Sequence, residues 1–551
     1  MTKAAQSSNL RPKMSLLTTD KRSWFPAWLI GAGFSVNRFF GACLALAALC
    51  SSVLAQTNAP ADVRRLSLHD CIELALKNNL DLQIDRSSYT AAVFTLAADY
   101  GAYDPTISIS GEHDHTVQGA TVIGGFPIPG VKSDNDIFSA NILNGLTPWG
   151  TKYNVQSRLN DQTGDSFVPV TVLTTNGGIV TSKTENVPVP FQNSAASVKA
   201  SITQPLLQNF WIDSARLTIR QDKNRLKWSE WNLKLQIITI ITRLEQAYYD
   251  LIYNRENVVV KEKALEAAQR LVAENRKKVE VGALAPLDLR SAESQAAASE
   301  ADLIDARNSL AVQEATIKSF ITGQYRDLAP EPIEPVGELT APRQSFSLQE
   351  SWAQGLTKRP EIVQARLDVE RHGIQLKYDK NQLLPELDLF GTFGYNGSGL
   401  VFSGALSDME QNEPSWSVGG SISMPLSRTA PRNTYRLHKT QMEGFVLTVK
   451  RWERDIMVDI DKDIRTARSS YEQVGARRAA RQFAEADLDA EEKKLQSGKS
   501  TPYTVLQKLR DLTTARGNEI LALSTYNKNL SQLSQDEGTT LERLKVGFQV
   551  K

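Results

Sequence analysis

Residues 237–279 read IITIITRLEQAYYDLIYNRENVVVKEKALEAAQRLVAENRKKV, and in them Ile237, Leu244, Leu251, Val258, Leu265, Val272 and Val279 stand seven apart without a break. An apolar residue at every seventh position imposes a left-handed supercoil with a narrow seam. The helical pattern around this stretch runs from about 214 to 281, or roughly 100 Å at 1.5 Å per residue. No globular core of a chain this size encloses such a helix. Beyond a Gly/Pro turn, a second helix at 286–322 keeps the register through Leu289, Ala296, Leu303, Leu310 and Ile317.

The same unit recurs. Leu66-Ser67-Leu68 and Phe346-Ser347-Leu348 each open a helical stretch, and Asp104-Pro105-Thr106-Ile107 matches Leu384-Pro385-Glu386-Leu387. Ser201-Ile202-Thr203-Gln204-Pro205-Leu206 matches Ser421-Ile422-Ser423-Met424-Pro425-Leu426. Lys277-Lys278-Val279-Glu280-Val281-Gly282 with Pro286 matches Lys493-Lys494-Leu495-Gln496-Ser497-Gly498 with Pro502. Four landmarks in one order mark a tandem duplication, with repeat 1 at 66–340 and repeat 2 at 341–535. Each copy reads helix, strand, loop, strand, very long helix, turn, helix. The strands fall at about 104–116 and 195–206, then 385–396 and 415–426. The second long helix spans about 433–497 and its partner 502–535, with a seam through Ile460, Ala467, Val474, Leu488 and Leu495 that Arg481 interrupts. The first helix (67–99) and the last (286–322) of copy one together nearly equal the long one. The lengths therefore predict two half-length helices stacked end to end beside each full-length helix.

Composition alone points elsewhere. The 551 residues carry 63 Lys+Arg against 62 Asp+Glu, a net charge of +1, with a mean hydropathy of −0.31. That balance excludes a basic nucleic-acid binder and gives no bundle of transmembrane helices. Near the N-terminus, Lys21-Arg22 and Arg38 precede the apolar run Phe39–Leu49, which closes on Val53-Leu54-Ala55-Gln56. This is the pattern of a cleaved secretory signal at 1–55, with Met14 a candidate start. Leu49 stands where a small residue would precede a lipidated Cys50, which disfavours lipidation. Only Cys71 then remains, so no internal disulfide is expected.

The strands alternate. Ile107 and Ile109 interleave with Thr106, Ser108 and Ser110, and Leu387, Leu389, Phe393 and Tyr395 interleave with Asp388, Thr392 and Gly394. Period-two alternation over about ten residues suits a membrane barrel strand or a half-buried soluble sheet. Beside a signal peptide and 100 Å helices, the barrel is favoured. Residues 117–196 form an insertion, part of it read as extracellular loop. Within it, Phe138–Ile142 and Tyr153–Leu159 are further strand candidates around Thr147-Pro148-Trp149-Gly150. Four membrane strands per protomer, twelve in a trimer, is the preferred count, and six and eighteen the alternative.

These features resemble the outer membrane factor family, the TolC-like channels of bacterial efflux and type I secretion, over about 66–533. The carriers are the Leu-Ser-Leu opening at 66–68 and its counterpart at 346–348, Gln204-Pro205-Leu206-Leu207, Met424-Pro425-Leu426, and the paired Gly/Pro turns. The resemblance implies a mainly α fold with β: a homotrimeric channel with a β-barrel in outer-membrane lipid and a long periplasmic α-helical coiled-coil barrel. Its closable tip docks a periplasmic adaptor protein below which stands an inner-membrane transporter, so the chain is expected to be the exit duct of a tripartite efflux or type I secretion system. The alternative is a periplasmic coiled-coil adaptor, against which the twin strand pairs speak; a secreted enzyme is a distant third.

The turns are the candidate site. Val281, Gly282, Leu284 and Pro286, with Gly498, Lys499, Ser500 and Pro502, place glycine at a helix end and proline at the next helix start. Helical hairpins alone explain that choice; the resemblance adds that six such tips form a ring for adaptor contact. It also implies an aperture lined by Asp288, Thr504 and Gln507. Aligned on Gly498, the latter two stand where the best-known member of the family has acidic residues, so a full acidic ring does not transfer. No catalytic residue, cofactor, nucleic-acid partner or metal site is expected. His113 and His115 share a strand face but supply only two ligands.

Overall fold

The computed structural model describes residues 64–123 and 126–547; the signal-peptide segment lies outside them. A short strand β1 (Arg64–Ser67) leads into helices α1 (Leu68–Asn78) and α2 (Leu80–Asp99). Strands β2 (Thr106–Val117), β3 (Lys132–Leu146), β4 (Lys152–Asn176) and β5 (Ile179–Pro205) follow, then helices α3 (Ser214–Glu280) and α4 (Pro286–Ile321). After strand β6 (Ile333–Val336) the order returns as α5 (Leu348–Lys358), α6 (Pro360–Asn381), strand β7 (Glu386–Gly399), helix α7 (Phe402–Gln411), strand β8 (Ser415–Ser423), α8 (Thr429–Gln496) and α9 (Pro502–Asp536).

The long helices are 67 and 68 residues, close to 100 Å each. Along α3 the seam residues Ile237, Leu244, Leu251 and Val258 are buried, while Leu265, Val272 and Val279 toward the tip are half-buried. The expectation of one unbroken helix over 67–99 is corrected: it breaks at Asn79. Its counterpart breaks at Arg359, because Pro360 forbids helical geometry in the residue before it and holds Arg359 at φ −65°, ψ 125°. Asn79 reaches a similar conformation (φ −62°, ψ 126°) by capping, its side chain accepting the Leu82 N–H.

Both breaks mark the place where a half-length helix meets its mate. The Asn79 and Asn78 amides donate to the Phe320 and Ile321 carbonyls at the end of α4, 3.2 Å each, satisfying acceptors that a helix terminus leaves orphaned. In the second copy, Gly538 follows the end of α9, and a Cβ there would lie 2.9–3.0 Å from Lys358 and Arg359 backbone atoms. The Arg359 guanidinium pairs with Asp536 (3.2 Å), Glu361 (3.1 Å) and Asp459 (3.4 Å). Close by, β1 and β6 pair in parallel. The Tyr248 hydroxyl donates to the carbonyls of Leu66 (3.0 Å) and Val336 (2.9 Å), one from each strand. Cys71 is fully buried here, and desolvation pushes its thiol up to about 12, so it packs rather than reacts.

The sheet also departs from expectation. Its order is β8-β7-β5-β4-β3-β2, six antiparallel strands in one layer. The four-strand preference is thereby corrected: β3 and β4 stand inside the sheet at the height of the other four. Much of 117–196 is therefore strand and not loop. Directly paired residues share a face, so the register defines rows across the sheet. One row is Thr106, Asn144, Asn154, Ser201, Thr392 and Ser417; the next is Leu143, Val155, Ala200, Phe393 and Trp416. One face is polar and the other largely apolar over Leu387–Gly397, eleven residues, the span of a tilted membrane strand (about 9–11). Above Gly164 and Ser194, β4 and β5 continue alone as a hairpin, turning at Gly177-Gly178 with φ +62° and +88°. No helix among the described residues is long and apolar enough to cross a membrane. Among the described residues, β2 and β8 are edge strands, each paired on one side only.

One carboxylate cluster at the α9 joint yields a test. Burial, a hydrogen bond to Asp536 and the charges of Asp536 and Asp459 push the Asp463 carboxyl up to about 8, against the opposing pull of Lys462. The unfolded value is near 3.9, so over about pH 4 to 8 the folded chain holds a proton that the unfolded chain lacks. Stability from this group therefore falls as pH rises through that window. Asp463→Asn should raise the melting temperature of the purified protein at pH 8 and leave it unchanged at pH 4; equal melting at both values would refute the assignment.

Candidate functional site: the paired helical tips

The two turns are built alike. At the end of α3 the Gly282 N–H donates to the Val279 carbonyl (2.9 Å) and the Ala283 N–H to Lys278 (2.8 Å). At the end of α8, Gly498 donates to Leu495 (3.1 Å) and Lys499 to Lys494 (2.9 Å). This double bond pattern is the Schellman motif, which needs a left-handed residue at its centre. Gly282 and Gly498 supply it at φ +72° and +71°. Pro286 and Pro502 then occupy the first helical positions of α4 and α9, where a missing N–H costs nothing.

The tips differ in chemistry. The first is apolar and bare: Val281 is 79% and Leu287 74% exposed, Pro286 is exposed and Leu284 half-buried. The second is polar: Lys499 is exposed, Pro502 buried, and the Ser500 hydroxyl donates to Glu491. That hydroxyl, then the ammonium of Lys494 at 2.9 Å, hold the Glu491 carboxyl below its usual range.

The three aperture candidates do not meet one another through side-chain bonds in the chain. Asp288 is half-buried in the first turn of α4 and makes no side-chain bond among the described residues. Thr504 turns inward on its own helix cap, its backbone N–H donating to Thr501 Oγ1 (3.4 Å) and the two hydroxyls 2.9 Å apart. Gln507 is exposed and without a partner among the described residues. Between Thr504 and Gln507 lie Val505 and Leu506, which sequence reading did not single out. They are buried with Leu271 and Ala292, against Val272, Leu488 and Leu495, so this cluster ties α3 and α4 to α8 and α9. The missed signal is the apolar pair inside an otherwise polar first turn of α9. Farther from the tip, Arg481 interrupts the α8 seam because it pairs with Glu519 on α9 (2.6 Å) and Glu485 (2.8 Å). Arg516 on α9 returns to Glu485 (2.6 Å), and the Arg510 guanidinium donates to Gln295 on α4.

No group of three or more metal ligands occurs among the described residues. His113 and His115 bond instead to Asp136 (2.7 Å) and Asp134 (2.5 Å) on the neighbouring strand. The tips pair a hydroxyl with a carboxylate at Ser500 and Glu491, and the Lys494 ammonium occupies the same carboxylate. What they present is shape: exposed apolar side chains at one tip and ammonium and hydroxyl groups at the other, on rigid hairpins sharing one small core.

Comparison with known proteins converges on one group. The model of the outer membrane efflux protein family matches residues 158–323 and 353–538. The outer membrane protein TolC of Vibrio cholerae is 25% identical over 363 residues, covering 64% of this chain and 79% of that one. Among solved structures, the Campylobacter jejuni CmeC outer membrane channel aligns at a TM-score of 0.61 and 15% identity over 86% of each chain. VceC of Vibrio cholerae aligns at 0.61 and 16%, covering 86% of this chain and 96% of that one.

Leu506→Ala should cost about 2–4 kcal/mol locally and speed amide exchange at the start of α4 as well as of α9. Faster exchange confined to α9 would show that the two hairpins are not coupled through this cluster. Gly282→Ala and Gly498→Ala should each cost about 1–2 kcal/mol from left-handed strain, read as faster exchange in the adjoining turn.

Proposed function

Because the chain belongs to the outer membrane efflux protein family, and so to the outer membrane, we propose that it is the exit duct of a tripartite efflux or type I secretion system. The observation that carries this is the six-stranded sheet, polar on one face and apolar on the other, with both edges open and 100 Å helices on one side of it. Open edges invite pairing with another strand. A trimer closes them, β2 of each protomer against β8 of the next, into an eighteen-stranded barrel. The dimensions agree: six strands about 4.8 Å apart and tilted about 40° span roughly 38 Å. Four helical columns at 8–10 Å span roughly 32–40 Å.

In this reading the apolar face meets lipid, the polar face lines the pore, and the helices form a periplasmic barrel. Val281, Gly282, Leu284 and Pro286, with Gly498, Lys499, Ser500 and Pro502, contact the periplasmic adaptor, through which an inner-membrane transporter drives export. Asp288 is the one acidic aperture residue, and Thr504 and Gln507 add no charge. The channel passes its cargo without catalysis and needs no cofactor. The alternative, a periplasmic adaptor, gives no account of a face eleven residues tall and apolar enough for lipid.

The purified protein should migrate as a heat-modifiable trimer from the outer-membrane fraction, and cysteines at Leu284 or Lys499 should crosslink to a periplasmic adaptor in intact cells. A soluble periplasmic monomer would refute the duct. With one acidic ring in place of three, multivalent cations at the periplasmic mouth should block the channel at least about tenfold more weakly than they block an acid-ringed relative.

A further inference from the structure

The polar face carries an uneven distribution of charge, and on the reading of this face as the pore wall it has a consequence for what the pore holds. Lys199 sits opposite Gly394 on one side and Gln156 on the other. Arg158 lies opposite Ser197 and Ser139. The two cations are therefore diagonal neighbours on β4 and β5, about 7 Å apart at the backbone. Their rows are otherwise uncharged: Ser108, Asn141, Gln156 and Ser415 in one, Ser110, Ser139, Ser197 and Asn396 in the other.

Lys199 is held by its neighbour. A Cβ on Gly394 would meet the Lys199 Cγ at 2.9 Å and the Val198 carbonyl oxygen at 2.3 Å. Glycine is thus what lets the lysine stem lie across β7. Both cations are exposed, and among the described residues neither makes an ion pair. Arg158 lines a cavity with Asn160, Asn396 and Asp408. The Asp408 carboxylate there accepts from the Ser398 N–H (2.8 Å) and the Asn412 amide (2.9 Å), not from Arg158.

The acidic groups of this face lie at its ends. Glu112 and Asp114 stand at the outer mouth, Glu112 about 12 Å from Arg158 across the sheet at backbone level. Glu386 and Asp388 stand at the helical end, with Lys152 between them and the two cations. Between those ends the polar rows hold Lys152, Lys199 and Arg158 without a carboxylate, the nearest acids being Glu112 one row beyond Arg158 and Asp408 in its cavity.

We propose that Arg158 and Lys199, three copies of each, form a cationic belt inside the outer-membrane pore that binds anionic solutes. An eighteen-stranded barrel is about 36 Å across between backbones. Arginine and lysine side chains reach several ångströms inward, leaving the axis roughly one Debye length away at 0.1 M salt and well within the ~30 Å length at 0.01 M. The belt therefore concentrates multivalent anions at low salt and fades at 1 M, as rings of Lys and Arg do in anion pores.

The test is current through the purified trimer in planar bilayers, with inorganic triphosphate added on the β-barrel side, away from the tips. At low salt the wild type should be blocked, and R158E/K199E should raise the blocking concentration by about tenfold or more. R158Q/K199Q should give an intermediate value and carries the comparison if the charge-reversed chain does not assemble. An unblocked wild type, or equal block in the variants, overturns the belt while leaving the duct standing. A trimer that conducts nothing in any form, even with its tips loosened by Leu506→Ala, refutes the duct itself.

Discussion

A helix 100 Å long has no globule to bury it, and the rest of the molecule follows from how that constraint is met. Each long helix is covered by two shorter ones, which must meet somewhere along its length. Where they meet, helix ends that would otherwise face water become buried and need partners. The chain supplies them twice, in different chemistry. In the first copy Asn78 and Asn79 cap the carbonyls of α4. In the second, Arg359 binds Asp536 at the end of α9. Around these joints lie the two largest clusters of buried apolar residues, one containing Ile237, Ile241 and Leu244, the other Ile362, Ile456 and Ile460.

From that belt outward, packing thins in both directions. Toward the tip the seam residues are only half-buried, and the last shared core is the small cluster around Val505 and Leu506. A region held by so few apolar contacts opens at low free energy, which suits a closable end. Toward the sheet the helices give way to a single layer without a core like theirs, exposed on both faces except where α7 covers Ser194, Ala196 and Gly397 near its outer end. Such a layer is stable only in an environment that wets one face and not the other, and the outer membrane provides it.

The two tips show how one backbone solution carries different surfaces. Glycine at positive φ and proline at the first helical position fix both turns, whatever the side chains. The exposed Val281 and Leu287 on one, and Lys499 with the Ser500–Glu491 bond on the other, are free to differ because neither contributes to the turn. The surface of either tip can then change without disturbing the hairpin.

The sequence alone settled the long helices, the Gly/Pro turns and the order of elements repeated in each half. Those features are written in local periodicity and in residues whose backbone preferences act over a few positions. Neither helix break was read from the sequence: Pro360 carries a local signal that the helical pattern on both sides of it masked, whereas asparagine breaks a helix only when its side chain finds caps such as Leu82 and Phe320. The strands β3 and β4 were half-legible: Tyr153, Val155 and Leu159 alternate, but Ser157 and Asp161 interrupt the pattern, and only the pairing of β4 with β5 and of β3 with β4 and β2 makes them part of the wall. The role of Val505 and Leu506, and the juxtaposition of Arg158 with Lys199, were decided by tertiary structure. Register and helix packing bring together residues far apart in the chain, and nothing in their immediate neighbours records the meeting.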